Sequence, residues 1–288
     1  MMEKRKYLFV EEVGAGVFGR VWKAVDRYSG EVVAIKKLIR QKFHSWINSR
    51  LYLVFEYMEC NLLQVMRSRR KGRPFSEDEV RKWCFQVFQG FRFIHDKGYF
   101  HHDLKPENLL VLGDLIKIGD VGSTKKINSD PPHAFIIMSL WYRPPEVMLF
   151  SPNYSYHVDM WAMGAILAEL LMLQPWFPGW NYQFSRFSGV HFSSLMPFAS
   201  KNAISLIKSL CSWDPSKRPT ASEASKHPFF KDCYNNMNIP PSLPDLNDNS
   251  MSVTTLDDDD QVPTNSNKIL ENPIGKSKYG PIGEEEEY

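Results

Sequence analysis

Acidic side chains are missing from one stretch of this chain and crowded into another. Between Lys36 and Glu56 there is no aspartate or glutamate, whereas from Asn238 onward 11 acidic residues face 3 basic ones, a net of −8. The whole chain carries +2, so the part before Asn238 holds about +10 by difference. A basic body suits an anionic ligand. Nucleic acid would be drawn to it in the same non-specific way, but no helix-turn-helix or RNA-binding signature is present, and no nucleic-acid partner is expected. Cysteine is scarce: Cys60, Cys84, Cys211 and Cys233 show neither CxxC spacing nor a paired Cys/His cluster, which favours reduced, packed thiols over metal ligands. Long apolar runs are missing too. No stretch approaches the ~18 uninterrupted apolar residues of a membrane span, and the opening MMEKRKYLFVEEVG lacks a signal core. These absences predict an intracellular chain, cytoplasmic or nuclear, without a membrane partner.

What is present alternates first at strand spacing and later at helix spacing. Tyr7 to Val13 and Arg20 to Val25 read as strands around a glycine-rich turn, followed by strands at Glu31 to Leu38 and Leu51 to Phe55. Ser76 with Glu79 forms a capping box, and Val80, Trp83, Cys84, Val87, Phe88, Phe91 and Ile94 then recur at helical spacing. Asn108 to Val111 and Leu115 to Ile118 form a hairpin pattern around Gly113 and Asp114. Further helices are expected over Val158 to Leu173 and Ala203 to Cys211. The reading is α+β: a small β-rich lobe over 1–57, a larger helical lobe over 58–231, and a disordered acidic tail over 232–288. A self-inhibitory acidic arm lying on the basic body is the alternative to a solvated tail.

Two motifs carry chemistry. Gly14-Ala15-Gly16-Val17-Phe18-Gly19-Arg20-Val21 is a G-x-G-x-x-G-x-V pattern, in which missing Cβ atoms let backbone amides approach phosphates. A dinucleotide-binding turn would need a helix after it, and here a strand follows, leading into Val33-Ala34-Ile35-Lys36. The second motif is His101-His102-Asp103-Leu104-Lys105-Pro106-Glu107-Asn108, with Asp120-Val121-Gly122 twelve residues later. It supplies a carboxylate, an ammonium, an amide and a second carboxylate at spacings suited to phosphoryl transfer from a metal-bound nucleotide.

On these residues the chain resembles a eukaryotic protein kinase of bilobal fold, over residues 7 to 230. The words Phe-Glu-Tyr-Met-Glu (55–59), Gly-Tyr-Phe-His (98–101), Trp-Tyr-Arg (141–143) and Leu-Cys-Ser-Trp-Asp-Pro (210–215) resemble the cyclin-dependent and MAP-kinase-like group, nearest the male-germ-cell-associated branch. The resemblance implies a serine/threonine kinase that uses ATP and Mg²⁺ on a protein substrate. Asp103 would orient the substrate hydroxyl and Lys105 neutralise the migrating phosphoryl group, while Asn108 and Asp120 would hold Mg²⁺. Val13, Gly14, Gly16, Gly19, Val21, Ala34, Lys36, Leu110 and the backbone of Glu56 and Met58 would surround the nucleotide. Ser139 would bridge Asp103 and Lys105 through its hydroxyl, Glu146 would pair with Arg218, and Asp159 would accept amides of the catalytic loop. His101 is expected as a packed scaffold residue rather than a base.

The chain also departs from that pattern. Residues 37 to 50 are too few for the usual helix and strand, so the glutamate that pairs with the strand lysine is missing. Such a helix buries about four apolar side chains, roughly 6–12 kcal/mol, which predicts compensation or a stabilising protein partner at the small lobe. Val121 stands for a phenylalanine and His102 for an arginine that clamps a phosphorylated loop, and Ala134-Phe135-Ile136 for a Thr-x-Tyr phosphorylation motif. Gly179 runs into Asn181-Tyr182-Gln183 with little room for a substrate-lobe helix. Both gaps resemble clean excisions, as a skipped exon produces. Three readings follow: a Ser/Thr kinase, a nucleotide-binding or scaffolding pseudokinase, and a truncated product that folds poorly.

Overall fold

β-branched and aromatic residues dominate the early part of the chain, and the computed structural model turns them into an antiparallel sheet. It describes residues 6–16, 19–38, 51–69, 75–127, 139–151, 154–175, 192–236 and 252–255. The chain divides into two units, Met1–Glu56 with Ser250–Tyr288, and Tyr57–Asn249.

In the first unit, β1 (Tyr7–Gly16), β2 (Gly19–Asp26), β3 (Val32–Leu38) and β4 (Leu51–Glu56) pair in that order. Tyr7, Ala24, Ile35, Tyr52 and Val54 form its core, with Phe9 and Val33 packed against them. The glycine motif is more strand than loop. β1 runs through Gly14 and Gly16, which face Val21 and Gly19, with register shifts between Phe9 and Glu11 and between Glu12 and Gly14. A Cβ at Gly19 would collide with the carbonyl oxygen of Lys37, so that glycine is required by the β2–β3 contact itself.

One strand corrects the sequence reading. Composition predicts a disordered tail from residue 232, yet Ser252–Thr255 pairs antiparallel with β4 as the fifth strand of this sheet. A helix over Lys231–Asn236 also runs past residue 232. A four-residue strand cannot announce itself by periodicity, and its reason lies outside itself, in the open backbone edge of β4. The missing helix expected between β3 and β4 falls at 39–50, outside the described residues. So do the 134–136 and 179–183 departures.

The second unit holds β5 (Cys60–Asn61), α1 (Leu62–Arg69), α2 (Glu77–Asp96), β6 (Tyr99–Phe100), β7 (Leu109–Leu112), β8 (Leu115–Ile118), β9 (Lys125–Lys126), α3 (Pro145–Met148), α4 (His157–Met172), α5 (Phe192–Leu195), α6 (Lys201–Leu210), α7 (Ala221–Ser225) and α8 (Lys231–Asn236). α2 starts as its sequence dictates. The Glu79 amide donates to Ser76 Oγ at 3.2 Å and the Ser76 amide to Glu79 Oε2 at 2.8 Å. Ser76→Ala is expected to cost about 1 kcal/mol, read as a small fall in the melting temperature. α4 is apolar on every side and buried accordingly, from Val158 through Leu170. At Gly164 a Cβ would sit 2.6 Å from Cys211 Sγ and 2.8 Å from Leu210 Cβ, so glycine permits the close approach of α4 to α6. The α2, α4 and α6 faces share one core with β7 and β8, and the segment between β6 and β7 is anchored on it.

Candidate active site

The anchor of that segment is Asp159, buried in the first turn of α4. Its carboxylate accepts the amides of His101 at 2.7 Å and His102 at 2.9 Å, and contacts His95 Nε2 at 3.0 Å. Two backbone donors on one buried carboxylate fix the chain direction just before Asp103. His101 continues the brace. The Asp103 amide donates to its Nδ1 at 3.3 Å, so Nε2 carries the proton toward the Gly119 carbonyl at 2.9 Å. With both nitrogens committed, His101 is a scaffold and not a base.

Asp103 is 7% exposed and its carboxylate is held from two sides. Lys105 Nζ donates to Oδ2 at 2.9 Å, and the Ser139 amide donates to Oδ1 at 3.2 Å. The expected Ser139 contact is therefore made by backbone rather than hydroxyl. Asn108 Nδ2 donates to the Asp103 carbonyl at 2.8 Å. That commitment turns the amide so that Oδ1 is the atom left to present, a hard oxygen of the kind Mg²⁺ takes. β7 and β8 bring Asp120 alongside: Leu109 faces Ile118, and the Gly119 amide donates to the Asn108 carbonyl at 2.7 Å. Asp120 itself has left-handed backbone, φ 51° and ψ 57°. A Cβ on Gly119 would lie 2.9 Å from Leu110 Cδ1, so the turn into Asp120 packs on the residue expected beneath the nucleotide.

No group of three or more His, Cys, Asp or Glu side chains suited to a metal occurs among the described residues. One amide oxygen and one carboxylate do fit Mg²⁺, which keeps water and phosphate oxygens in most of its positions. The second unit thus brings together Asp103, Lys105, Asn108, Asp120 and Leu110, with Met58 buried near its start. In the first unit Lys36 lies opposite Val21 and Leu53, and Ala34 opposite Lys23 and Phe55. Gly14 and Gly16 have open space where a Cβ would stand, while Val13 is exposed and Glu56 ends β4.

Sequence reasoning missed the surroundings of His102. This residue has φ 74° and is fully buried; its Nε2 is 2.8 Å from Tyr154 Oη, and its ring lies nearly parallel to the tyrosine. Phe100 meets it edge-on. Burial pushes the imidazole down to about 4 and the Tyr154 phenol up to about 12, so both are neutral at ordinary pH. Nothing in the sequence singles out Tyr154, because its partner lies 52 residues away. Because His102 charges in the unfolded chain below its ordinary value of about 6.5 but stays neutral when folded, protons favour unfolding. Stability is full above about pH 6.5 and falls toward pH 4 by up to ~3 kcal/mol. His157 and His227, also lowered by burial, act with the same sign. Urea unfolding between pH 7 and 4.5 checks this, and His102→Asn, a side chain at ease in left-handed backbone, should flatten the slope.

Set beside known proteins, residues 39–230 match the sequence profile of the protein kinase domain; the glycine motif and Lys36 precede that match. The chain is 42% identical over 287 residues to cyclin-dependent kinase F-4 of Oryza sativa subsp. japonica, covering 79% of this chain and 62% of that protein. It is 37% identical over 286 residues to the serine/threonine-protein kinase MAK of Homo sapiens, covering 78% and 45%. Both alignments are longer than the part of this chain they draw on, so the relatives have residues at positions where this chain has none. The chain spans about half to two thirds of the length of these curated relatives.

Proposed function

This chain belongs to the protein kinase family, and on that premise we propose that it transfers the γ-phosphoryl group of ATP to serine or threonine hydroxyls of a protein substrate. The observation that carries this reading is the held carboxylate of Asp103, with Lys105 Nζ at 2.9 Å and Asn108 tied to its backbone at 2.8 Å. Asp103 would orient the incoming hydroxyl and take its hydrogen bond, while Lys105 offsets charge on the migrating group. When bound, Mg²⁺ would supply positive charge that offsets the charge of the phosphates. Asn108 Oδ1 and the Asp120 carboxylate would hold it, and Lys36 would contact the α- and β-phosphates. In the first unit Ala34, Val21, Val13 and the backbone of Glu56 would contact the nucleotide, with Gly14 and Gly16 admitting the phosphates; in the second unit Leu110 and the backbone of Met58 would do so. Four free cysteines and no described helix long and apolar enough to cross a membrane support action in the cytoplasm or nucleus.

The test is transfer of γ-radiolabel from ATP to a generic protein substrate, with and without Mg²⁺. Label incorporated only with the metal supports the reading, and none in either case rejects it. A second reading is favoured by one fact, the absence of any acidic residue between Lys36 and Glu56. It is a nucleotide-binding pseudokinase, for which ATP raises the melting temperature without label transfer.

A further inference from the structure

We propose that the outer edge of β4 is a strand-docking surface whose resident occupant is the chain's own segment Ser252–Thr255, a clasp that holds β4 and, through it, the strand bearing Lys36. The surface comes first. β4 is Leu-Tyr-Leu-Val-Phe-Glu, with Tyr52 and Val54 buried in the sheet core. Its inner side pairs with β3 from Val33↔Glu56 to Lys37↔Tyr52. Only twelve residues, 39–50, separate β3 from β4 in the sequence. Without a further strand the outer side would present alternating bare N–H and C=O groups along an apolar strand, the arrangement most prone to pairing with foreign chains.

The occupant is matched to that edge in register and composition. Ser252, Val253, Thr254 and Thr255 lie opposite Val54, Leu53, Tyr52 and Leu51 in antiparallel order. Three of the four are β-branched, the residue type that fits a pleated strand best. After Leu256 the sequence continues Asp257-Asp258-Asp259-Asp260, and charged residues are among the devices that discourage pairing at a strand edge. The register also ties the clasp to the nucleotide side. Leu53 stands between Val253 on one flank and Lys36 on the other. Release of the tail would bare β4 and leave β3 on a sheet one strand narrower. This consequence for ATP rests on the kinase reading; the docking itself does not.

The experiment uses the full chain. Residues directly opposite in an antiparallel pair have Cβ atoms about 4.5–5.5 Å apart, within reach of a disulfide. The pair Leu53→Cys/Val253→Cys is oxidised at low protein concentration and mapped by mass spectrometry beside Leu53→Cys/Ser266→Cys. An intrachain link at least roughly tenfold more abundant than in the control is expected; equal yields, or links found only between two molecules, overturn the proposal. Hydrogen exchange gives a second reading. Val253→Pro and Thr254→Pro have opposite strand parity, so one of them removes a ladder donor whichever way the strand faces. In at least one, β4 amides should exchange roughly tenfold faster while those of α4 keep their rates; unchanged β4 exchange in both overturns it. If the link forms but ATP never shifts the melting temperature, the clasp stands and the nucleotide reading falls.

Discussion

Asp120→Asn should lower phosphoryl transfer by on the order of a hundredfold or more while leaving the fold intact. The backbone at this residue is left-handed, φ 51° and ψ 57°, a conformation that asparagine and aspartate adopt more readily than other residues. The change is therefore nearly isosteric and costs little strain. What it removes is the carboxylate proposed to hold Mg²⁺, leaving Asn108, which can offer only a neutral oxygen. Of the two residues assigned to the metal, Asp120 alone carries a charge, so its loss is not made up by the other. The same radiolabel assay reads the rate, and a thermal scan should show a melting temperature within a few degrees of the unaltered chain. Equal rates in the two proteins would mean that the observed label does not depend on this centre. Asp103→Asn is a less clean control, because it also breaks the 2.9 Å contact to Lys105 and so disturbs its neighbour.

Local chemistry was legible and long-range pairing was not. The Ser76–Glu79 capping box, the hairpin across Gly113-Asp114 and the largely apolar α4 each depend on residues close in sequence, so pattern alone places them. Asp159 and the Glu146–Arg218 pair were legible for another reason, since a family resemblance supplies partners that spacing cannot. Three features escaped both. The His102–Tyr154 pair spans 52 residues, and the tyrosine carries no motif. The Ser139 contact to Asp103 is made by a backbone amide, which any residue but proline would provide. The strand Ser252–Thr255 exists because of β4, far earlier in the chain, so a window over the tail sees only polarity. Glu169 is the case where a signal was there to use: a carboxylate inside an apolar helix needs a partner, and Tyr142 Oη supplies it at 2.6 Å.

Glu146→Ala should destabilise the second unit by about 3–5 kcal/mol, the cost of leaving a buried charge without its counter-ion. Arg218 has no exposed side-chain surface and Glu146 is 11% exposed. The guanidinium donates Nη1 to Oε1 at 2.6 Å and Nη2 to Oε2 at 2.7 Å, a two-pronged match of planar groups. Nε adds a bond to the Ser212 carbonyl at 2.8 Å, Nη1 another to that of His157 at 3.0 Å, and the group lies over the Trp161 ring at 5.0 Å. After Glu146→Ala those carbonyls and the ring remain, but none carries the charge that offset desolvation. Arg218→Lys keeps a cation yet loses the fork and the ring contact, so it too should destabilise, by less. For a unit of this size the alanine change corresponds to a fall of on the order of 10 °C in the melting temperature. Burial also sets the salt response. A surface pair would be screened in 1 M salt, whereas this difference between Glu146→Ala and the unaltered chain should survive it nearly unchanged. A fall under about 3 °C, or one that vanishes in salt, would show that water reaches the pair and that Arg218 is not the clamp between α3, the start of α4 and the segment before α7.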